Sequence, residues 1–132
     1  MSGNHKEEVD SESFLDELRS PYHRGCFQEA THTGVARNPL CGDEIIWHLR
    51  ISGDHIEAAW HEARGCAISQ VSASLLCRHI EGRTKSELMQ ITPSQILESI
   101  QITLNPIRQR CALICLQAMQ DAIGSRSRQG TA

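Results

Sequence analysis

The sequence predicts an α+β fold, with helices packed on one face of a small antiparallel three-stranded sheet. The prediction rests on alternating apolar segments in the first half of the chain and segments with helical periodicity and cap residues in the second. Strands followed by helices are typical of this fold class. A length of 132 residues suits one domain with one core.

The strands are predicted from alternation. A short first strand is expected near residues 30–36. Residues 44–51 alternate cleanly, with an apolar face and a more polar face that includes His48. Residues 55–64 alternate as well, and the Ser-Gly-Asp turn between the two segments predicts a hairpin. Within this hairpin we expect His55 and His61 to share one face as a surface pair.

The helices are predicted from apolar spacing and end signals. Residues 14–19 form one or two turns before Pro21, and residues 67–82 form a Ser/Ala-rich helix that Gly82 ends. Thr84 and Thr92 each begin a short helix with the spacing of a capping box. Asn105 precedes the last helix, which ends at Gly124. The domain is expected over residues 14–124, with disordered tails at 1–13 and 125–132.

Composition excludes several classes of protein. The formal charge of −3 leaves no basic surface for nucleic acid. No apolar run approaches the roughly 18 residues that a membrane span needs. The polar, acidic start of the chain does not resemble a secretory signal, so we expect the cytoplasm. In that compartment six cysteines indicate metal binding or thiol chemistry in preference to disulfides.

The positions of the cysteines divide them into groups. Cys41 lies in a turn before a strand, Cys66 lies where a strand gives way to a helix, and Cys111 lies early in the last helix. Side chains at element ends are well placed to build a site on a rigid scaffold. Cys77 and Cys115 stand among aliphatic residues, which favours core packing. The remaining cysteine, Cys26, has no partner in the sequence and is interpreted as incidental.

A carboxylate adds a fourth donor to the three placed thiols. Asp43 follows Cys41 by two residues, and in an extended segment such residues point the same way. Gly42 between them lets the backbone fold around an ion. Three thiolates and one carboxylate suit tetrahedral zinc or the iron of a cluster. The alternative, that these cysteines are simply buried small hydrophobes, is equally weighted at this point.

Three motifs give the sequence a family resemblance. Cys41-Gly42-Asp43, then Gly65-Cys66 with the Ser/Ala-rich residues 67–76, and then Cys111 resemble the iron–sulfur cluster assembly scaffold family, the NifU N-terminal domain group that includes IscU and SufU. The resemblance covers about residues 14–123 and implies the IscU/SufU-like fold. It also implies that Cys41, Asp43, Cys66 and Cys111 bind the metal or cluster.

The chain mixes features of two branches. Its Gly-Cys-Ala-Ile-Ser segment is more similar to SufU than to IscU, yet it lacks the SufU insertion before the last helix. IscU has a histidine before the last cysteine, where this chain has Arg110, which cannot ligate a metal. Asp43 is therefore the better candidate for fourth ligand. Leu104 to Arg108 is similar to the segment by which an Hsp70-type chaperone recognises IscU, but Asn105 and Arg108 replace its first Pro and its Lys, which argues against that partner.

The resemblance implies a role in iron–sulfur cluster assembly. In the IscU-like version a cysteine desulfurase delivers sulfur to Cys41, Cys66 or Cys111, a transient [2Fe–2S] cluster is built on the four ligands, and acceptor or carrier proteins take it. The chain would then be a scaffold and not an enzyme. In the SufU-like version the same residues bind zinc, and one cysteine leaves the metal to accept sulfur, as in a zinc-dependent sulfurtransferase. Two further hypotheses are a structural zinc-binding interaction module and a metal-free fold packed with thiols.

Overall fold

The computed structural model describes residues 12–125, so nearly all of the two predicted tails lies outside the described part. Helix α1 covers residues 12–19. The remaining elements follow in the predicted order: β1 (His32–Asn38), β2 (Asp43–Ser52), β3 (His55–Arg64), α2 (Ala67–Cys77), α3 (Lys85–Met89), α4 (Pro93–Ile100) and α5 (Pro106–Gly124). Strand β1 begins two residues later than the sequence predicts.

The three strands form one antiparallel sheet in the order β1-β2-β3. Helix α5 packs against β1 and β2, and α2 packs against β3 and α5. The core lies between this layer of helices and the apolar face of β2, where Ile45, Trp47 and Leu49 are fully buried. The predicted fold class is confirmed. Among residues 12–125, no helix has the length and apolar character needed to cross a membrane.

The predicted helix ends are confirmed except at the start of α1, which lies at residue 12 and not 14, and at the end of α2. Thr84 and Thr92 both form complete capping boxes, and the Asn105 side chain accepts a hydrogen bond from the backbone N–H of Arg108 at 2.9 Å. These contacts satisfy N–H groups that the first turn of a helix leaves free. Helix α2 ends at Cys77, earlier than the predicted stop at Gly82, and residues 78–82 form a turn instead.

A β-bulge in the hairpin changes the predicted faces of β3. The pairing shifts between Arg50 and Ile51, which leaves Glu57 as an extra residue on β3. Because a strand alternates with period two, one extra residue turns the following side chains to the other face. His61 consequently points into the core with no exposed surface, whereas His55 stays exposed. The prediction of a surface His55–His61 pair is therefore wrong.

Strand β1 approaches α5 so closely that only glycine fits at one position. A Cβ atom on Gly34 would overlap the backbone of Ala118 and Ala122. The indole N–H of Trp47 reaches across the same interface and donates to the carbonyl of Cys115 at 2.9 Å. These contacts fix α5 against the sheet, and with it the position of Cys111 in the second turn of that helix.

Candidate metal centre

Cys41 lies at the tip of the β1–β2 turn. The carbonyl of Asn38 accepts hydrogen bonds from the N–H groups of Cys41 and Gly42 at 3.1 and 2.8 Å, and Gly42 adopts a φ of +74° that favours glycine. The Asn38 side-chain amide also donates to Cys41 Sγ at 3.5 Å. The turn therefore holds Cys41 in an exposed position with its thiol oriented by Asn38.

Asp43 begins β2 and is buried, with 1% of its surface exposed. Its Oδ1 accepts a hydrogen bond from the backbone N–H of Cys66 at 2.8 Å, and its Oδ2 lies 3.5 Å from Cys66 Sγ. Cys66 is the N-cap residue of α2, where the free N–H groups and the helix dipole favour negative charge. This arrangement joins the carboxylate and the thiol of two distant motifs.

Gly65 makes the approach of Asp43 and Cys66 possible. Its φ of +115° lies in the region that favours glycine, and a Cβ atom there would overlap the carboxylate and Cα of Asp43. Glycine is therefore needed before Cys66 for a steric reason, because any larger residue at position 65 would push Asp43 away from α2.

Cys111 lies between the other three side chains. Its Sγ is 3.6 Å from Cys41 Sγ, and the ligand atoms of Cys41, Asp43 and Cys111 all lie within 4.8 Å of one another. Burial raises the pKa of the Cys111 thiol, and hydrogen bonds with Asp43, Cys41 and Cys66 raise it further. In the metal-free protein Cys111 is therefore a neutral thiol, and a metal must displace its proton to bind there.

Cys41, Asp43 and Cys111 are thus brought within 4.8 Å of one another, and Cys66 adjoins this group through its 3.5 Å contact with Asp43. Two thiolates bound to one tetrahedral zinc lie about 3.8 Å apart, since each Zn–S bond is about 2.3 Å. The 3.6 Å between Cys41 and Cys111 is close to that separation. Three thiolates and a carboxylate are donors for zinc or for cluster iron, so the arrangement fits both.

The other cysteines lie apart from these four. Cys77 and Cys115 are buried in the main core, which confirms their predicted packing role. Burial raises the pKa of both thiols, that of Cys115 to about 12. Cys26 is exposed in the loop before β1. Arg110 is exposed beside Cys111, and its side chain makes no hydrogen bond or ion pair with the described residues.

The sequence analysis missed two residues that contact the thiols. Asn38 was given no role at the site, yet its amide donates to Cys41 Sγ. Ser69 was interpreted only as a small helix residue, yet its Oγ lies 3.5 Å from Cys66 Sγ and donates to the carbonyl of Cys66. Ser69 stands three residues after the N-cap, the spacing of a helix-start contact, and this signal was available in the sequence.

Comparison with known proteins decides the family. The family described as NifU-like N terminal domain matches residues 9–131. The chain belongs to this family. Over 81 residues it is 37% identical to the iron-sulfur cluster assembly scaffold protein IscU of Thermotoga maritima, a match that covers 61% of this chain and 57% of that protein.

Further relatives of this NifU-like chain represent the SufU branch. Over 69 residues it is 33% identical to the zinc-dependent sulfurtransferase SufU of Bacillus subtilis, a match that covers 52% of this chain and 46% of SufU. Its fold is similar to the crystal structure of a Fervidobacterium islandicum AW-1 protein described as an iron-sulfur cluster assembly scaffold for the SUF system. That match has a TM-score of 0.71 and 25% identity, and it covers 83% of this chain and 93% of the other. The resemblance noted in the sequence is confirmed.

Proposed function

We propose that this NifU-like chain is an iron–sulfur cluster assembly scaffold, which accepts sulfur from a cysteine desulfurase and builds a transient cluster on Cys41, Asp43, Cys66 and Cys111. The closeness of Cys41, Asp43 and Cys111, whose ligand atoms lie within 4.8 Å of one another, is the observation that carries the proposal. The scaffold role of the IscU relative supports it. Iron and sulfide are cargo in this function, and acceptor or carrier proteins receive the finished cluster.

Exposure distinguishes the three thiols as sulfur acceptors. Cys41 is exposed on a turn, Cys66 is half-buried, and Cys111 is 2% exposed. The attacking sulfur must reach the persulfide of the desulfurase. Because Cys41 is the most exposed of the three thiols, it is the acceptor that the geometry favours. The Cys41 thiolate attacks the outer sulfur of the donor persulfide, a new S–S bond forms, and the donor cysteine leaves as a thiolate.

Asp43 gives the site its ability to release the cargo. A carboxylate is a harder ligand than thiolate and binds the iron of a cluster less strongly. Its hydrogen bond from the Cys66 N–H keeps it in the site without a strong bond to iron. We place this work in the cytoplasm, where thiols such as the six free cysteines of this chain stay reduced.

The second candidate function is a SufU-like, zinc-dependent sulfur transfer. The spacing of Cys41 and Cys111 fits two ligands of one zinc ion, and the SufU relative supports this alternative. Zinc would be held by the same four residues and would keep the thiolates deprotonated. In this version Cys41 would be the ligand that accepts sulfur.

Cluster reconstitution and desulfurase assays on protein purified without oxygen distinguish these functions. We expect iron and sulfide to rebuild a cluster with a visible absorption band, and a cysteine desulfurase to be stimulated by the parent chain but not by Cys41→Ala. Cys77→Ala is the matched control, because its thiol is buried away from the site and its loss should leave both readouts intact.

Each outcome assigns one function. Bound zinc with desulfurase stimulation, but without cluster formation, would favour the sulfurtransferase. Zinc without any effect on a desulfurase would indicate a structural interaction module. A chain that holds no metal and rebuilds no cluster would contradict the proposal altogether.

A further inference from the structure

A second group of neighbouring thiol, imidazole and carboxylate side chains lies on the opposite face of the sheet. His48 projects from β2 on the face opposite to Trp47 and Leu49, and Glu62 projects from the neighbouring strand β3. Cys26 reaches the same place from the loop that precedes β1. One ligand atom from each of these three residues lies within 4.8 Å of the other two. The sequence analysis interpreted Cys26 as incidental, because the residues around it do not predict that this loop folds back over the sheet.

His48 is the buried centre of this group. It is 6% exposed, and its Nε2 lies 2.7 Å from Glu62 Oε2. Its other ring nitrogen, Nδ1, is fully buried and has no hydrogen-bond partner among the described residues. A buried polar nitrogen without a partner costs free energy. Nε2, which faces Glu62, is the ring nitrogen placed to bind a metal, and the unpartnered Nδ1 is not itself a ligand of the site.

The loop that carries Cys26 is anchored to β3 on both sides of the cysteine. The backbone N–H of Gly25 donates to the carbonyl of His61 at 2.7 Å. On the other side, the ring of Phe27 stacks against Trp60 with ring centroids 6.3 Å apart. Cys26 is thus held over the sheet between two fixed neighbours, although its own side chain is exposed.

We propose that Cys26, His48 and Glu62 form a second metal site, which binds a zinc-class divalent cation with water as the fourth ligand. Thiolate, imidazole and carboxylate are the three ligand types that zinc uses in proteins, and three protein ligands with an open position make a stable four-coordinate arrangement. The mixed donor set disfavours calcium and magnesium, which take oxygen ligands.

Binding requires only small movements. Nitrogen and oxygen ligands of one tetrahedral zinc lie about 3.3 Å apart, so the 2.7 Å contact between His48 and Glu62 must widen by about 0.6 Å. The Glu62 side chain is 29% exposed and can make this movement, and the exposed thiol of Cys26 can close on the metal from the other side. The buried His48 stays in place as the fixed ligand.

The second site is separate from the first. His48 follows Asp43 by five residues on β2, which is about 16 Å along an extended strand. The odd spacing also places the two side chains on opposite faces of the sheet. Metal at one site is therefore expected to bind independently of metal at the other, so that failure of this proposal and failure of the scaffold proposal can be told apart.

The test is zinc binding measured by competition with a chromophoric chelator, under a non-chelating reductant. We expect two zinc ions per chain in the parent protein and one in Cys111→Ser, which keeps the second site. Cys26→Ser and Glu62→Gln should each weaken only the second zinc, by at least about tenfold. His79→Gln and Glu57→Gln, which replace an exposed histidine and an exposed glutamate elsewhere, should retain both ions.

Two results would overturn the second site. One is a parent chain that binds a single zinc which Cys111→Ser abolishes, because that ion belongs to the first site. The other is a second zinc that survives both Cys26→Ser and Glu62→Gln, because that ion would be bound elsewhere on the surface. Cobalt(II) provides a check that does not depend on affinity, since the part of the thiolate band that Cys26 contributes should be lost when Cys26→Ser is introduced, in the parent and in Cys111→Ser alike. Both substitutions in the test affect half-exposed or exposed side chains, and unfolding by urea verifies that the variants fold.

Discussion

The backbone N–H of Cys66 donates to the carboxylate of Asp43 at 2.8 Å, which ties the start of β2 to the start of α2. This single contact brings together two motifs that are 23 residues apart in the chain. Asp43 therefore has two roles. Its carboxylate lies beside the thiols as a proposed ligand, and it accepts a hydrogen bond at the start of α2. The first prediction concerns the loss of both roles when Asp43 is replaced.

We predict that Asp43→Ala makes a bound cluster persist several-fold longer, because the carboxylate that we propose allows the cluster to be released is absent while the three thiolates still hold it. The substitution should also lower the free energy of unfolding by about 1–3 kcal/mol, since the Cys66 N–H loses its partner. The decay of cluster absorbance in the presence of an acceptor protein measures the first effect, and urea unfolding measures the second. Asp54→Ala, in the exposed hairpin turn, is the control. Equal rates of release in Asp43→Ala and the parent would contradict the proposed role.

The second prediction uses two glycines with similar backbones. Gly65 and Gly82 both have positive φ, +115° and +87°, but only a Cβ on Gly65 would meet a neighbour, namely Asp43. Gly82→Ala should cost about 1 kcal/mol of backbone strain. Gly65→Ala should cost about 3 kcal/mol, because steric overlap is added to the strain.

Metal affinity distinguishes the two glycine variants further. Displacement of Asp43 should weaken zinc binding at the first site in Gly65→Ala, while Gly82→Ala binds as the parent does. Urea unfolding combined with chelator competition measures both quantities. If the two variants lost equal stability and kept equal affinity, the contact of Gly65 with Asp43 would have no role in the site.

The third prediction concerns the contact between β1 and α5. Gly34→Ala should be strongly destabilising, by about 3 kcal/mol or more, since the backbone atoms of Ala118 and Ala122 cannot move aside as a flexible side chain would. Gly124→Ala, at the end of the same helix, meets no neighbour and should be neutral or slightly stabilising. Thermal unfolding of the two variants measures this difference, and equal melting temperatures would contradict the close packing.

Local signals predicted most of the fold because each feature depends on neighbouring residues, whereas the four-residue first site, whose ligands come from distant segments, was predicted through the family resemblance. The capping boxes at Thr84 and Thr92, the Gly-Asp turn and the Cys-Gly-Asp motif are all short-range patterns. The bulge at Glu57 is different, since it depends on how β3 pairs with β2 and not on the alternation within β3. Cys26 is different for a similar reason, because its position depends on where a loop is anchored.

The consequence of the bulge for His61 leads to the last prediction. The side chain is fully buried, its Nε2 lies 2.9 Å from the carbonyl of Tyr22, and its ring lies 5.4 Å from that of Trp47. Burial lowers the pKa of His61 to about 4. An unfolded histidine takes up its proton near pH 6.5. Between these two values the unfolded chain binds the proton and the folded chain does not.

The free energy of unfolding should therefore fall as the pH is lowered from 6.5, and the loss from this one residue should reach about 3 kcal/mol near pH 4. His61→Gln keeps a donor for the Tyr22 carbonyl but cannot titrate, so urea unfolding of this variant should show a correspondingly smaller dependence on pH over that range. His79→Gln, which removes an exposed histidine, should retain the dependence of the parent. A His61→Gln variant that follows the parent curve in slope from pH 6.5 to 4 would show that acid destabilises the fold through other groups.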